Sequence, residues 1–158
     1  MMPFFSEAVH YLEEIHGPFE AVIGHSLGGM ASLKAVKEGL EIKKLVIIGT
    51  GDSVTDITED FARNMKLNGK VAERMRKYLD GKFNANMEDL SGAVSAREVK
   101  VPTLVIHDKD DVDVPVDAAH AIKEQLEHGE IYITENLGHR RILGNGKVIA
   151  KIKTFLTE

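Results

Sequence analysis

Apolar residues along this chain follow two rhythms. Four short runs are almost unbroken: Ala21-Val22-Ile23, Leu45-Val46-Ile47-Ile48, Thr103-Leu104-Val105-Ile106 and Ile131-Tyr132-Ile133. Each is too short for a helix and too apolar to alternate, the pattern of parallel strands covered on both faces. The first of them predicts a short buried strand over 20–25. The segments between the runs carry helical periodicity instead. In 3–16, Phe4, Phe5, Ala8, Val9, Leu12 and Ile15 fall on one side. Pro3 suits a first helical turn, and Gly17-Pro18 stops the segment. Further helices are expected at 27–37, ended by Gly39, and at 116–127 and 148–156. Strands alternating with helices predict an α/β fold: a mostly parallel sheet of about four strands with right-handed crossovers.

The stretch from Asp52 to Lys100 breaks this alternation. It is charged and helix-like, with Arg63, Lys66, Lys70, Glu73, Arg74, Arg76 and Lys77 set among Phe61, Met65, Leu67, Val71, Met75, Tyr78 and Leu79. An insertion at the ends of strands is where specificity elements are carried. The expectation is one domain over 1–158 with a helical cap at about 52–100. Its alternative is a set of helices packed on the domain body.

Composition narrows the function classes. The 158 residues make one compact domain, and 43% hydrophobic content suffices for a core. A formal charge of −5 gives no electrostatic ground for nucleic-acid binding. The chain has no cysteine, which excludes thiol catalysis and disulfides and suits a cytoplasmic protein. No run reaches the roughly 20 apolar residues that span a membrane, and 1–5 carry no signal-peptide pattern.

The candidate chemistry starts at Gly24-His25-Ser26-Leu27-Gly28, where the first apolar run gives way to a helix. G-x-S-x-G at a strand-to-helix junction is the pattern of a nucleophile elbow, a sharp turn that lifts the serine clear of the backbone. Glycines are expected on both sides because a Cβ would collide with the approaching strand or helix. Ser26 is the candidate nucleophile. The backbone N–H of Leu27, at a helix N-terminus, is the candidate oxyanion donor. A serine hydroxyl needs an adjacent base, and an imidazole supplies one. Of seven histidines, His10 and His16 lie on the first helix, His107 ends a strand, and His120 and His128 belong to a later helix or its end. His25 neighbours the apex, and its side chain is expected to pack or hydrogen-bond away from it. His139 alone follows the last strand in a loop, behind Gly138.

Three motifs in this order resemble the α/β-hydrolase superfamily, in its serine esterase and lipase-like branch. They are the elbow with Gly29, the segment Ile106-His107-Asp108-Lys109-Asp110-Asp111-Val112-Asp113-Val114-Pro115, and Asn136-Leu137-Gly138-His139. The order serine, acid, histidine is the one that fold uses. Matching His107 and Val114-Pro115 to the family's acid loop implies Asp111 as the acid that orients His139. Asp52, after the second strand, is the alternative acid. Asp108, Asp110 and Asp113 are then expected to be solvated loop charges or turn formers. A calcium loop does not fit, because Val112 occupies an alternate position that needs oxygen. No residue set has convincing metal spacing, and no cofactor is implied. The resemblance implies hydrolysis of a carboxylic ester or related acyl compound, with transfer to another acceptor using the same residues. The substrate itself is unknown. A haloalkane dehalogenase is disfavoured, since that branch carries aspartate at the apex.

The resemblance covers nearly all of the chain, yet the chain covers only the C-terminal half of the family's sheet plus a cap. The loop that supplies the second oxyanion donor has no counterpart. Weak activity is therefore expected, and a fragment, a minimal hydrolase and a non-catalytic dimerisation or partner-binding domain remain the competing readings. The strand before Ser26 would also have an open edge, a pairing hazard. A homodimer through that edge, or through the first helix and its Phe4-Phe5 face, is the expectation.

Overall fold

A computed structural model describes residues 2–158, with the side chains of Met2 and Pro3 outside the description. Helix α1 (Met2–His16) leads to strand β1 (Ala21–His25), helix α2 (Leu27–Lys37) and strand β2 (Lys44–Ile48). Helices α3 (Val54–Asn64) and α4 (Lys70–Phe83) follow. A 3-10 turn (Met87–Leu90) and the short helix α5 (Gly92–Ala96) then lead to strand β3 (Thr103–Asp108). Helix α6 (Asp117–Gln125), strand β4 (Gly129–Thr134), the one-turn helix α7 (Gly138–Arg141), a 3-10 turn (Ile142–Gly144) and helix α8 (Gly146–Thr157) complete the chain.

The four strands form one sheet in the order β1-β2-β3-β4, with every neighbouring pair parallel. Successive strands are neighbours, so right-handed crossovers all step the same way and set their helices on one face. The buried side chains show the result. On that face Leu45, Ile47 and Val105 meet Leu33 and Ala35 of α2, Ala96 and Val99 at the end of α5, and Ala119 and Ile122 of α6. On the other, Val46, Ile48, Leu104 and Ile106 meet Ile142, Val148 and Phe155. β2, β3 and β4 each divide their residues between two cores with the period of two that strand geometry imposes. Burial on both faces explains why β2 and β3 read as unbroken apolar runs.

Two expectations change at the periphery. β1 is an edge strand and is only partly buried. Val22 packs into the first core, but α8 covers only the later strands, and Ile23 on the second face stays 53% exposed. The apolar row of α1 is likewise open. Val9 joins the core, while Phe4, Phe5, Leu12 and Ile15 are exposed, because α1 lies outside α2 with no outer layer over it. The inserted segment is also not uniform. Its last part packs into the body through Gly92, Ser95, Ala96 and Val99, whereas α3 lines the cavity at the strand ends. α3 is tied down at its start: Glu88 accepts from the Thr55 N–H and hydroxyl, at 3.0 and 2.7 Å, and from the Ser91 hydroxyl at 2.6 Å. No helix among the described residues is long and apolar enough to cross a membrane.

Candidate active site

Because the strands are parallel, the segments leaving their C-terminal ends emerge at one end of the sheet, where α/β proteins place ligands. Ser26 follows β1, Gly49 to Asp52 follow β2, Asp108 to Val114 end β3, and His139 follows β4. Ser26 has φ 55° and ψ −121°, outside the regions an L-residue adopts freely. Its backbone N–H donates to the Ile48 carbonyl at 2.8 Å, pinning the elbow to the end of β2. Leu27 opens α2, so its N–H is among the first helical donors without an intrahelical acceptor.

The glycines of the elbow divide differently from the expectation. A Cβ on Gly24 would lie 2.6 to 2.8 Å from the backbone of Gly28 and Gly29. A Cβ on Gly29 would lie 1.9 Å from the hydroxyl of buried Thr50. A Cβ on Gly28 would meet nothing within 4 Å. The close approach is therefore made by Gly24 and Gly29, one turn of helix against the strand it follows, and Gly28 is not a steric requirement.

His139 Nδ1 donates to Asp111 Oδ2 at 2.7 Å. The other oxygen of Asp111 accepts from the N–H groups of Asp113 and Val114, both at 2.9 Å. The Asp111 side chain is 1% exposed and that of His139 10%. The carboxylate is thus held by its own loop and presents one oxygen to one ring nitrogen, leaving Nε2 for the cavity. Asp52, the alternative acid, makes no contact with His139. It lines the cavity instead, where burial first, then the charges of Asp56 and Glu88, push its carboxyl above the usual range. Asp111, Asp113 and His139 also form a cluster with ligand atoms within 4.8 Å of one another. The direct 2.7 Å contact puts a proton between His139 and Asp111 rather than an ion.

Three residues shape this pair without having been assigned to it from sequence. Gly49, at φ +56°, lies under the pair: its Cβ would stand 3.1 Å from His139 Nδ1 and 3.5 Å from Asp111 Oδ2. His25 does hydrogen-bond away from the apex, as expected, but its partner is the His139 loop. Its Nε2–H donates to the His139 carbonyl at 2.9 Å, and the two rings are 4.6 Å apart. Asp108 keeps one of its two expected roles, since it does form a turn with the Asp110 N–H, but it is not a solvated charge. It belongs to β3, is wholly buried, and accepts from the Thr134 hydroxyl (2.6 Å) and the N–H groups of Asp110 (3.0 Å), Leu137 (3.1 Å) and Gly138 (2.9 Å). It therefore ties the loop that carries His139 to the end of β3. Burial raises its carboxyl, but the Thr134 and backbone donors outweigh that and hold it below the ordinary 3.8. Of the other loop acids, Asp110 is exposed and accepts from the Asn136 N–H, and Asp113 is exposed at the cavity.

Ser26 and His139 line a common cavity of about 680 Å³, floored by Leu27 and Met30 and walled by Asp56, Ile57, Asp60 and Phe61 of α3. The sequence-assigned Ser26, Leu27, Asp111 and His139 are thus brought to one strand-end row. The Ser26 hydroxyl is not hydrogen-bonded to His139, a contact that ligand-free sites of this kind commonly complete only on binding.

No protein-family model matches the chain, and no curated protein sequence does. Solved structures do. An α/β hydrolase from a sediment metagenome of the Mar Chica lagoon, Morocco, is similar at TM-score 0.66 and 20% identity, over 97% of this chain and 68% of that one. A serine hydrolase of carbazole degradation gives 0.70 and 18%, over 99% and 71%. The monoacylglycerol lipase of Paleococcus ferrophilus gives 0.68 and 16%, over 99% and 75%. The fold is that of the α/β-hydrolases, present here with four strands.

Two measurements check this construction. In urea melts, Gly28→Ala should match or slightly exceed the parent, since alanine is favoured over glycine in a helix by roughly 1 kcal/mol. Gly24→Ala should lose about 2 kcal/mol or more through backbone displacement; equal stability of the two would contradict the elbow packing. Acid should act in two stages. Burial keeps His107 neutral, with its pKa below the ordinary 6.5. As pH falls below 6.5 the unfolded chain binds a proton the folded one refuses, and stability declines. The depressed Asp108 contributes fully above about pH 4, and that contribution is lost as pH falls through its folded value. His107→Gln should flatten the first stage and Asp108→Asn the second, in urea midpoints measured from pH 8 to 3.

Proposed function

We propose that this protein is a serine hydrolase acting on carboxylic esters or related acyl compounds. The observation that carries the reading is the row Ser26, His139 and Asp111: a serine in a strained elbow shares a cavity with an imidazole whose far nitrogen is bound to a buried carboxylate.

In this reading the Ser26 oxygen attacks the acyl carbon, and its proton passes to His139 Nε2. Asp111 keeps the Nδ1 proton in place and stabilises the imidazolium. The carbonyl oxygen, now an anion, is met by the Leu27 N–H and the N-terminus of α2. Collapse of the tetrahedral adduct breaks the bond to the leaving group, which takes the proton from Nε2. Water then repeats the sequence on the acyl-serine: His139 accepts its proton, the ester to Ser26 breaks, and a carboxylic acid leaves. Leu27 is the one donor this reading assigns, and loss of one oxyanion donor costs on the order of a hundredfold or more. The rate is accordingly set low.

The open edge of β1 supports a second element of the proposal, a homodimer through that edge or the adjacent α1 face. Unpaired backbone beside exposed Ile23 is a surface that soluble proteins cover. The same edge favours the rival reading, a domain that serves assembly and has lost catalysis. A cytoplasmic location belongs to the proposal too and rests on the cysteine-free composition.

A fluorophosphonate probe should label the folded protein at Ser26 and leave Ser26→Ala unlabelled. His139→Ala should lose labelling and ester turnover by about a thousandfold or more, since nucleophile and base act as a unit. Asp111→Asn should lose on the order of a thousandfold or more, and Asp52→Asn far less. A folded parent that resists the probe would favour the assembly reading. Light scattering at micromolar concentration should give the mass of two chains, and Ile23→Lys should halve it; a monomeric parent removes the dimer.

A further inference from the structure

The cavity around Ser26 has an uneven charge. Five carboxylates line it: Asp52, Asp56, Asp60, Asp113 and Asp117. Two guanidiniums, Arg63 and Arg140, face them, and Arg63 is already paired with Asp60 at 2.7 Å. Four carboxylates and one exposed arginine remain without a pairing, so the lining is negative.

Helix electrostatics explains only part of this. Asp56 and Asp117 lie in the first turns of α3 and α6, where a negative charge suits the helix end. Asp52 precedes α3 on the β2 end, Asp60 sits in the middle of α3, and Asp113 stands on the loop between β3 and α6. They come from three separate elements and converge on one space. Asp52 bears a cost there, being half-buried beside two other acids. Nothing in the packing of the domain requires that concentration of like charge. The cavity also presents apolar surface beside the acids. Ile57 and Phe61 of α3 are 41% and 47% exposed, on the wall that carries Asp56 and Asp60. A carboxylate ring with an open aromatic face suits an ammonium group, which gains from both.

Resting on the hydrolase reading of Ser26, we propose that this cavity selects acyl substrates that carry a positive charge, an amine or a quaternary ammonium. The four unpaired acids, Asp52, Asp56, Asp113 and Asp117, hold the cation, and Phe61 and Ile57 contact its carbon groups. The acyl carbon then lies between Ser26 and the Leu27 N–H. The same field opposes anionic substrates and expels the carboxylate that hydrolysis forms.

The test uses matched pairs that differ only in charge: 4-nitrophenyl 6-aminohexanoate against 4-nitrophenyl heptanoate, and acetylcholine against 3,3-dimethylbutyl acetate. The first pair puts the cation on the acyl side, the second on the leaving group. In at least one pair kcat/KM should favour the cation by about tenfold or more. That ratio should shrink as salt rises to 1 M, and in the double variant Asp56→Asn with Asp117→Asn, whose fold circular dichroism checks. Equal or reversed preference in both pairs overturns the inference while leaving hydrolysis at Ser26 standing. Should Ser26 resist the fluorophosphonate and no ester be cleaved, it is the hydrolase reading that fails. The cation site is then decided by NMR titration of choline against 3,3-dimethylbutan-1-ol. Tighter, salt-sensitive binding of choline that the double variant weakens sustains it, and equal binding overturns it.

Discussion

Four parallel strands connected in spatial order constrain everything else in this molecule. Each crossover returns the chain to the same end of the sheet, so each strand releases its next segment into the same row. Ser26, Gly49, Asp111 and His139 are separated by up to 113 positions in sequence, yet they occupy that row because each follows a different strand by only a few residues. The same connectivity stacks α2, α5 and α6 on one face and leaves the other to α8 and the turn before it that carries Ile142. That asymmetry exposes Ile23 on β1 and leaves an open side next to Ser26.

Within the row, two aspartates of one loop have divided tasks. Asp108 spends all its hydrogen bonds on the chain, joining β3 to the segment that bears His139. Asp111 gives one carboxylate oxygen to two N–H groups of its own loop and the other to the imidazole. His25 fastens the backbone of His139 from the opposite side, and Gly49 leaves room beneath it. The position of the imidazole is fixed by hydrogen bonds from the ends of β1 and β3 to the segment after β4. Such support is what a proton-shuttling group needs, since small displacements are costly in rate. Above this row the wall is supplied by α3, whose start is clamped by Glu88 and whose inner side carries acids and open apolar groups together.

Much of this was legible one residue at a time. The strands β2 and β3 announced themselves because burial on two faces leaves no polar position. The elbow was legible because a turn that tight admits few residue types. The order of serine, acid and histidine was visible because it is a linear property. Errors arose where a residue's partner is distant in sequence. Asp108 looked like its neighbours Asp110 and Asp113 because a run of aspartates carries no mark of which one faces inward. The strand extends two residues past its apolar run, and that extension decides it. Gly28 looked as necessary as Gly24, since a motif does not tell which glycine is approached. The row of α1 looked like a buried face, because periodicity signals an apolar side without saying what covers it.

The sequence by itself determined the class of fold, the two-sided burial of the central strands and the identities of Ser26, Leu27, Asp111 and His139 as candidates. These follow from local chemistry (periodicity, turn geometry and residue type), save Asp111, which only the resemblance of its loop to a known family implied. Only the tertiary structure decided that Asp111 rather than Asp52 reaches His139, and that Asp108 clamps the loop. It alone gathered acids from three elements around one cavity and left β1 at an edge. Each of these depends on which surfaces meet across the sheet, and contact between segments far apart in the chain is a property of packing that no local pattern encodes.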